Sequence, residues 1–226
     1  MNKPEPIPPY TLVRSARKTL ALTMDRAGTL TVRAPLSLSI ARIEAFVRDK
    51  QRWVEQTRAR MQRLPPRPEP LTLRDGFTLP YLGRTLTLRR GGKAVTLDGD
   101  VLWVPTATVD VAPVVRWLEA QARRLFADRV QCSAAQLGLH PKALRLSRAR
   151  GRWGSMSTRG TLSLNRALIL CPPEVLQYVV VHELCHMVHP NHSAAFWDQV
   201  ERCLPGYRAQ RDWLKAHAAL ILFLPA

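Results

Sequence analysis

Residues 172–197 read PPEVLQYVVVHELCHMVHPNHSAAFW. Two prolines and an acid, Pro172, Pro173 and Glu174, are suited to the first turn of a helix, where missing N–H donors cost little and a negative charge meets the positive dipole end. Leu176, Val180, Leu184 and Met187 recur at helical spacing as a core stripe, and Val179, His182, Glu183 and His186 share another face. A helix buried this way needs a reason to carry two imidazoles and a carboxylate. His182 and His186, four residues apart, project one turn apart on one side and can grip a single metal ion. Glu183 is too close in sequence to join that coordination readily, but it is well placed to take a proton from water. Chance alone would produce an H-E-x-x-H in a chain of this composition about 0.006 times.

Two imidazoles do not complete a catalytic metal site, which takes three protein ligands and leaves one position open. Pro190 and Asn191 should stop the helix, so the chain can turn back and bring His192, six residues past His186, to the metal. That spacing is also found in the metzincin zinc peptidases, although His189 stands where they carry glycine. His189 is a rival third ligand, aimed away if it continues the helix. Glu201, on the following helix, is another. That helix should start at Ser193 as N-cap and bury Phe196, Trp197, Val200 and Leu204.

Working outward, residues 10–34 alternate in the strand manner, with a turn at Asp25–Gly28. Ser39 is a candidate cap for one helix from Ile40 to about Arg63, with Ile43, Phe46, Val47, Trp53 and Val54 as its apolar stripe. Its other face carries Arg42, Arg48, Lys50, Arg52, Arg58, Arg60 and Arg63. The Pro-rich stretch Leu64–Pro70 is a stiff connector. Short strand-like runs follow, then a helical pattern from about Val111 to Leu137, and then two strand-like stretches up to Asn165. Strands followed by helices argue for an α+β fold. The expected division is 1–64 (strands plus the basic helix), 65–109 (connector and β-rich segment) and 110–226 (the part carrying the metal motif).

The 226 residues hold 34 Lys+Arg against 17 Asp+Glu, a net charge of +17. A polyanionic partner such as nucleic acid would suit that balance. The excess is +8 over residues 1–70, +7 over 71–150 and +2 over 151–226, so it avoids the segment with the chemistry. The opening MNKPEPIPPY lacks the apolar run of a secretory signal, and no apolar stretch approaches membrane-spanning length. Cys132, Cys171, Cys185 and Cys203 form no C-x-x-C pair and suit reduced thiols. The expectation is a cytoplasmic protein without membrane contact, with Cys185 as a small packing residue.

The run from Arg152 to Trp197, RWGSMSTRGTLSLNRALILCPPEVLQYVVVHELCHMVHPNHSAAFW, resembles the signature of the YgjP-like metallopeptidases, relatives of SprT-like and other minimal zincins. The likeness continues through Tyr207–His217 and more weakly along the whole chain. It implies a zincin-like C-terminal catalytic part, one catalytic Zn2+ on His182, His186 and His192, and Glu183 as general base. Arg152, Trp153, Gly154, Ser155 and Asn165 also match the family pattern. Met156 stands where the family usually has cysteine, so any role of that thiol is absent here.

The expected activity is hydrolysis of a peptide or protein substrate. The SprT-like relatives suggest nucleic-acid-associated proteins as targets, with the basic two thirds holding the nucleic acid. Arg152 and Tyr207 are candidate donors to the oxyanion, and Trp153 is a candidate wall of the cleft. The strand pair around Trp153–Ser163 is a candidate edge for an extended peptide. The alternative is a nucleic-acid-binding protein with a structural or degenerate zinc site. A fourth protein ligand and no base would mark that case.

Overall fold

Alternation in the first 35 residues places every second side chain on one face, and the computed structural model shows what covers that face. It describes residues 7–66 and 68–225; the opening six residues, Arg67 of the connector and Ala226 lie outside the described residues. Tyr10–Ser15 (β1), Ala21–Met24 (β2) and Leu30–Pro35 (β3) form a sheet in the order β1-β3-β2, with β1 parallel and β2 antiparallel to β3. The turn into β3 closes as Gly28 N–H donates to Asp25 O, and Thr29 N–H donates to Asp25 Oδ1. Gly28 has φ +82°, a conformation open to glycine at little cost.

The expected single basic helix is two: Ile40–Asp49 (α1), capped by Ser39, and Gln51–Gln62 (α2), divided at Lys50. Ile43, Val47 and Val54 pack against Leu30, Val32 and Ala34. Trp53, expected in the stripe, is 38% exposed, and Thr57 is buried on α2 instead.

The described residues fall into two compact units that divide between Pro65 and Pro66. In the second, Thr78–Tyr81 (β4), Arg84–Arg90 (β5), Thr96–Asp98 (β6) and Val101–Val104 (β7) pair in the order β4-β5-β7-β6. The long helix Ala112–Leu137 (α3) begins with Pro113 in its first turn and ends at Gly138, which takes φ +67°. It packs on a 3-10 turn at Arg166–Leu170, itself sealed by Ala167, Leu168, Ile169 and Leu170.

Ala143–Ser147 (β8), Gly154–Met156 (β9) and Thr161–Asn165 (β10) form a third sheet in the order β8-β10-β9, which leaves β9 at an edge. Against this sheet lies Pro173–Cys185 (α4), followed by Ala194–Cys203 (α5) and Arg208–Ala216 (α6). Nine of the 13 residues of α4 are buried. The C-terminal run docks as expected: Leu220, Phe223 and Leu224 are buried, and the carbonyls of Leu224 and Pro225 accept from the Arg166 guanidinium. Arg166 also meets Glu119 of α3 at 2.5 Å, so one buried ion pair ties α3, the 3-10 turn and the chain end together. Three small sheets and six α-helices among the described residues make the fold α+β. No helix in the described residues is long and apolar enough to cross a membrane.

Candidate metal centre and cleft

Helix α4 stops at Cys185, a residue before the motif ends, and the chain turns through His186–Val188. Met187, expected in the core stripe, therefore leaves the helix and is 38% exposed at the cleft. The early stop brings the loop back: ligand-capable atoms of His182, His186 and His192 all lie within 4.8 Å of one another. His192 Nε2 is 3.1 Å from His182 Nε2. Phe196, held at the start of α5 by the Ser193 cap, lies among the three rings with centroid separations of 4.5 to 4.9 Å.

Neighbouring polar groups aim two of these imidazoles. His186 Nδ1 faces the carbonyl of His189 at 3.0 Å, which makes Nδ1 the protonated nitrogen and leaves Nε2 as the free donor. His182 Nδ1 faces the Tyr178 hydroxyl at 3.5 Å. Burial pushes that phenol up to about 12. Burial, with His186 and His192 alongside, pushes His182 down to about 3, and burial with His186 alongside lowers His192. Neutral rings keep lone pairs free, so the donor set fits a borderline-soft cation such as zinc.

Glu183 is 6% exposed and lies against β9. Burial pushes its carboxyl up to about 7, opposed by the backbone N–H of Met156 and the charge of Arg152. The contact with Gly154 is closer than any side chain could permit: a β-carbon there would stand 2.6 Å from Glu183 Oε1 and 2.7 Å from its Cγ. Position 156 meets Glu183 through its backbone N–H. The strand start is itself tied: Asn165 Nδ2 donates to the carbonyls of Ala149 at 2.6 Å and Arg152 at 3.0 Å, and Asn165 N–H donates to Trp153 O.

Imidazoles, Glu183 and the β9 edge face one cleft of about 740 Å³. Its lining includes Gly154, Ser155 and Met156 but neither Trp153 nor Tyr207. Trp153 is half-buried against the core. Tyr207 is 2% exposed and stacks between Tyr178 and Trp197, at 5.8 and 5.4 Å, behind the histidines. Arg152 is exposed, near enough for its charge to act on Glu183. The rival ligands are engaged elsewhere. The His189 ring is not among the three that converge, although its carbonyl meets His186, and Glu201 accepts from Gly206 N–H and pairs with Arg208 at 2.7 Å. Cys185 is buried beside the Cys203 thiol, and burial pushes it up to about 12, which suits a neutral packing group.

The YgjP-like metallopeptidase domain matches residues 18–217. This chain belongs to that family. It is a hydrolase, a metallopeptidase, and the family implies a catalytic metal, typically zinc, and peptide or protein substrates. Two solved structures are similar over part of it. The metallopeptidase zymogen abylysin of Pyrococcus abyssi is 25% identical, with TM-score 0.37, over 39% of this chain and 90% of its own. The zymogen jannalysin of Methanocaldococcus jannaschii is 22% identical, with TM-score 0.35, over 40% and 91%. No curated protein matches the chain.

Gly154 touches Glu183 and the turn beyond β9 lines the cleft, two placements that the residue pattern did not single out. The glycine stood in a quoted motif, but its reason is a contact with a residue 29 positions away.

Proposed function

We propose that His182, His186 and His192 hold one zinc ion and that Glu183 is the general base in peptide-bond hydrolysis. The observation that carries this reading is the convergence of three imidazoles with a buried carboxylate on one cleft. Among the described residues the cluster has three members, which suits a site with an open position better than a closed structural one. Zinc bound there supplies Lewis acidity and makes water ionisable near neutral pH.

The chain's own residues do the rest. Glu183 accepts the proton at its carboxylate and delivers it to the leaving amine. Gly154 and the Met156 N–H keep that carboxylate in one place. The free edge of β9 offers backbone hydrogen bonds to an extended substrate. Arg152 does not line the cleft, and its charge acts on Glu183 from outside it.

The test is Glu183→Gln, assayed for zinc content and for hydrolysis of an unfolded protein. Retained zinc with turnover lost supports the role; unchanged turnover rejects it.

A second role is favoured by the basic helices. Arg42, Arg48, Arg52, Arg60 and Arg63 are exposed on α1, α2 and the residue that follows, with no ion pair among the described residues, and Trp53 stands out beside them. Such a face suits phosphates, and it would bring the peptidase to nucleic-acid-associated substrates. Binding of a single-stranded DNA that weakens steeply with salt supports this role; absence of binding at low ionic strength rejects it.

A further inference from the structure

Resting on the peptidase reading, we propose that the cleft selects substrates with an acidic side chain, Asp or Glu, two or three residues from the scissile bond on the side of the β9–β10 turn. The charged residues that line the cleft are unevenly placed. Glu183 lies beside the imidazoles, whereas Lys142 and Arg159 line the end formed by the turn Ser157–Gly160. Both cations are exposed, and neither forms an ion pair among the described residues. Ser157 and Thr158 add hydroxyl donors at the same end.

This end is built rather than loose. Lys142 N–H donates to Gly160 O at 2.8 Å, Gly160 N–H donates to Ser157 O at 2.9 Å, and Thr161 N–H donates to Ser157 Oγ at 3.0 Å. Gly160 has φ +81°, and the Lys142 stem lies across it, so that a β-carbon at 160 would meet Lys142 Cγ at 3.1 Å. The lysine stem is therefore seated on the turn, and Lys142 lines the cleft.

Distance sets the position. Glu183 lies over Gly154 and Met156, and the turn begins at Ser157. An extended peptide on the β9 edge advances about 3.3 Å per residue, so its second or third residue from the scissile bond reaches the cations. A basic side chain there meets two like charges, which selects against it as effectively as pairing selects for an acid.

The test uses the zinc-loaded full chain and a series of ten-residue, alanine-rich fluorogenic peptides with Asp, Asn or Lys at each position flanking the cleaved bond. Expected is a kcat/KM order of Asp, Asn, Lys at one side only, about tenfold from first to last, mostly in KM. The spread should shrink at about 0.5 M salt. In Lys142→Glu/Arg159→Glu the order should reverse with Tm unchanged, since both side chains are exposed. An unaltered order in that variant, or no charge preference in the parent, overturns the proposal while leaving the peptidase reading intact. If no peptide and no unfolded protein is cut, the peptidase reading fails. Anisotropy of the same peptides, fluorescein-labelled, on Glu183→Gln then decides selection: acid-preferring binding supports it, and equal binding overturns it.

Discussion

Gly154 supports Glu183 by having no side chain: the carboxylate occupies the space that a β-carbon at position 154 would fill, 2.6 Å from Oε1. A separation under 3 Å cannot persist, so in Gly154→Ala either the edge strand or the carboxylate must move. Glu183 is buried on a packed helix and β9 is held by β10, so neither moves freely. The expected result is loss of about a hundredfold in kcat with zinc retained, because a displacement near 1 Å at a reacting group costs that much. Overpacking should cost about 1–3 kcal/mol of stability, read from chemical denaturation. Turnover equal to the parent would show that the contact does not position the base.

Position 156 makes the opposite prediction. Met156 acts on Glu183 through its backbone N–H, which any residue but proline supplies. Met156→Cys should therefore leave kcat/KM within about twofold, provided that zinc content is matched. A large gain would mean that the thiol does chemistry that this chain lacks.

How much of this could be read beforehand depended on range. His182 and His186 are one helical turn apart, so their convergence is local and legible. Helix α3 was legible for the same reason: its apolar period, a proline near its start and Gly138 at its end all lie in one continuous stretch. The split at Lys50 was not, because α1 and α2 keep a compatible apolar pattern while the backbone between them takes φ −97° and ψ 12°. Trp53 shows the limit of residue type, since an indole at helical spacing with Ile43 and Val47 reads as core yet is exposed. Tyr207 shows it again: a tyrosine after a Pro-Gly turn reads as a donor, yet packing stacks it between Tyr178 and Trp197. Gly154 needed the tertiary contact itself.

Metal binding should appear in stability as well as activity. A ligand that binds only the folded state stabilises it by RT ln(1 + [L]/Kd), about 2.7 kcal/mol at a hundredfold excess over Kd. Zinc should therefore raise the Tm of the chelator-stripped chain. The rise should vanish in His192→Ala, whose exposed ring contributes little packing of its own. Thermal scans with and without zinc check both. An undiminished rise in that variant would remove His192 from the ligand set.

The Glu119–Arg166 pair predicts a pH dependence far from the cleft. Burial alone would raise the Glu119 carboxyl, but hydrogen bonds and charge from Arg166 and Arg148 outweigh it and hold it below its ordinary 4.5. A carboxyl depressed in the folded state binds its proton more readily when unfolded. Its stabilisation is thus present above about 4.5 and is lost as pH falls through the lower native value. Glu119→Gln leaves the buried Arg166 guanidinium with carbonyl partners alone, which should cost about 1.5–3 kcal/mol at neutral pH. The parent and the variant should therefore differ most at pH 7 and converge below pH 4.5, as thermal denaturation across that range would show. A constant difference down to the acid limit would mean that the pair stabilises by shape and not by charge.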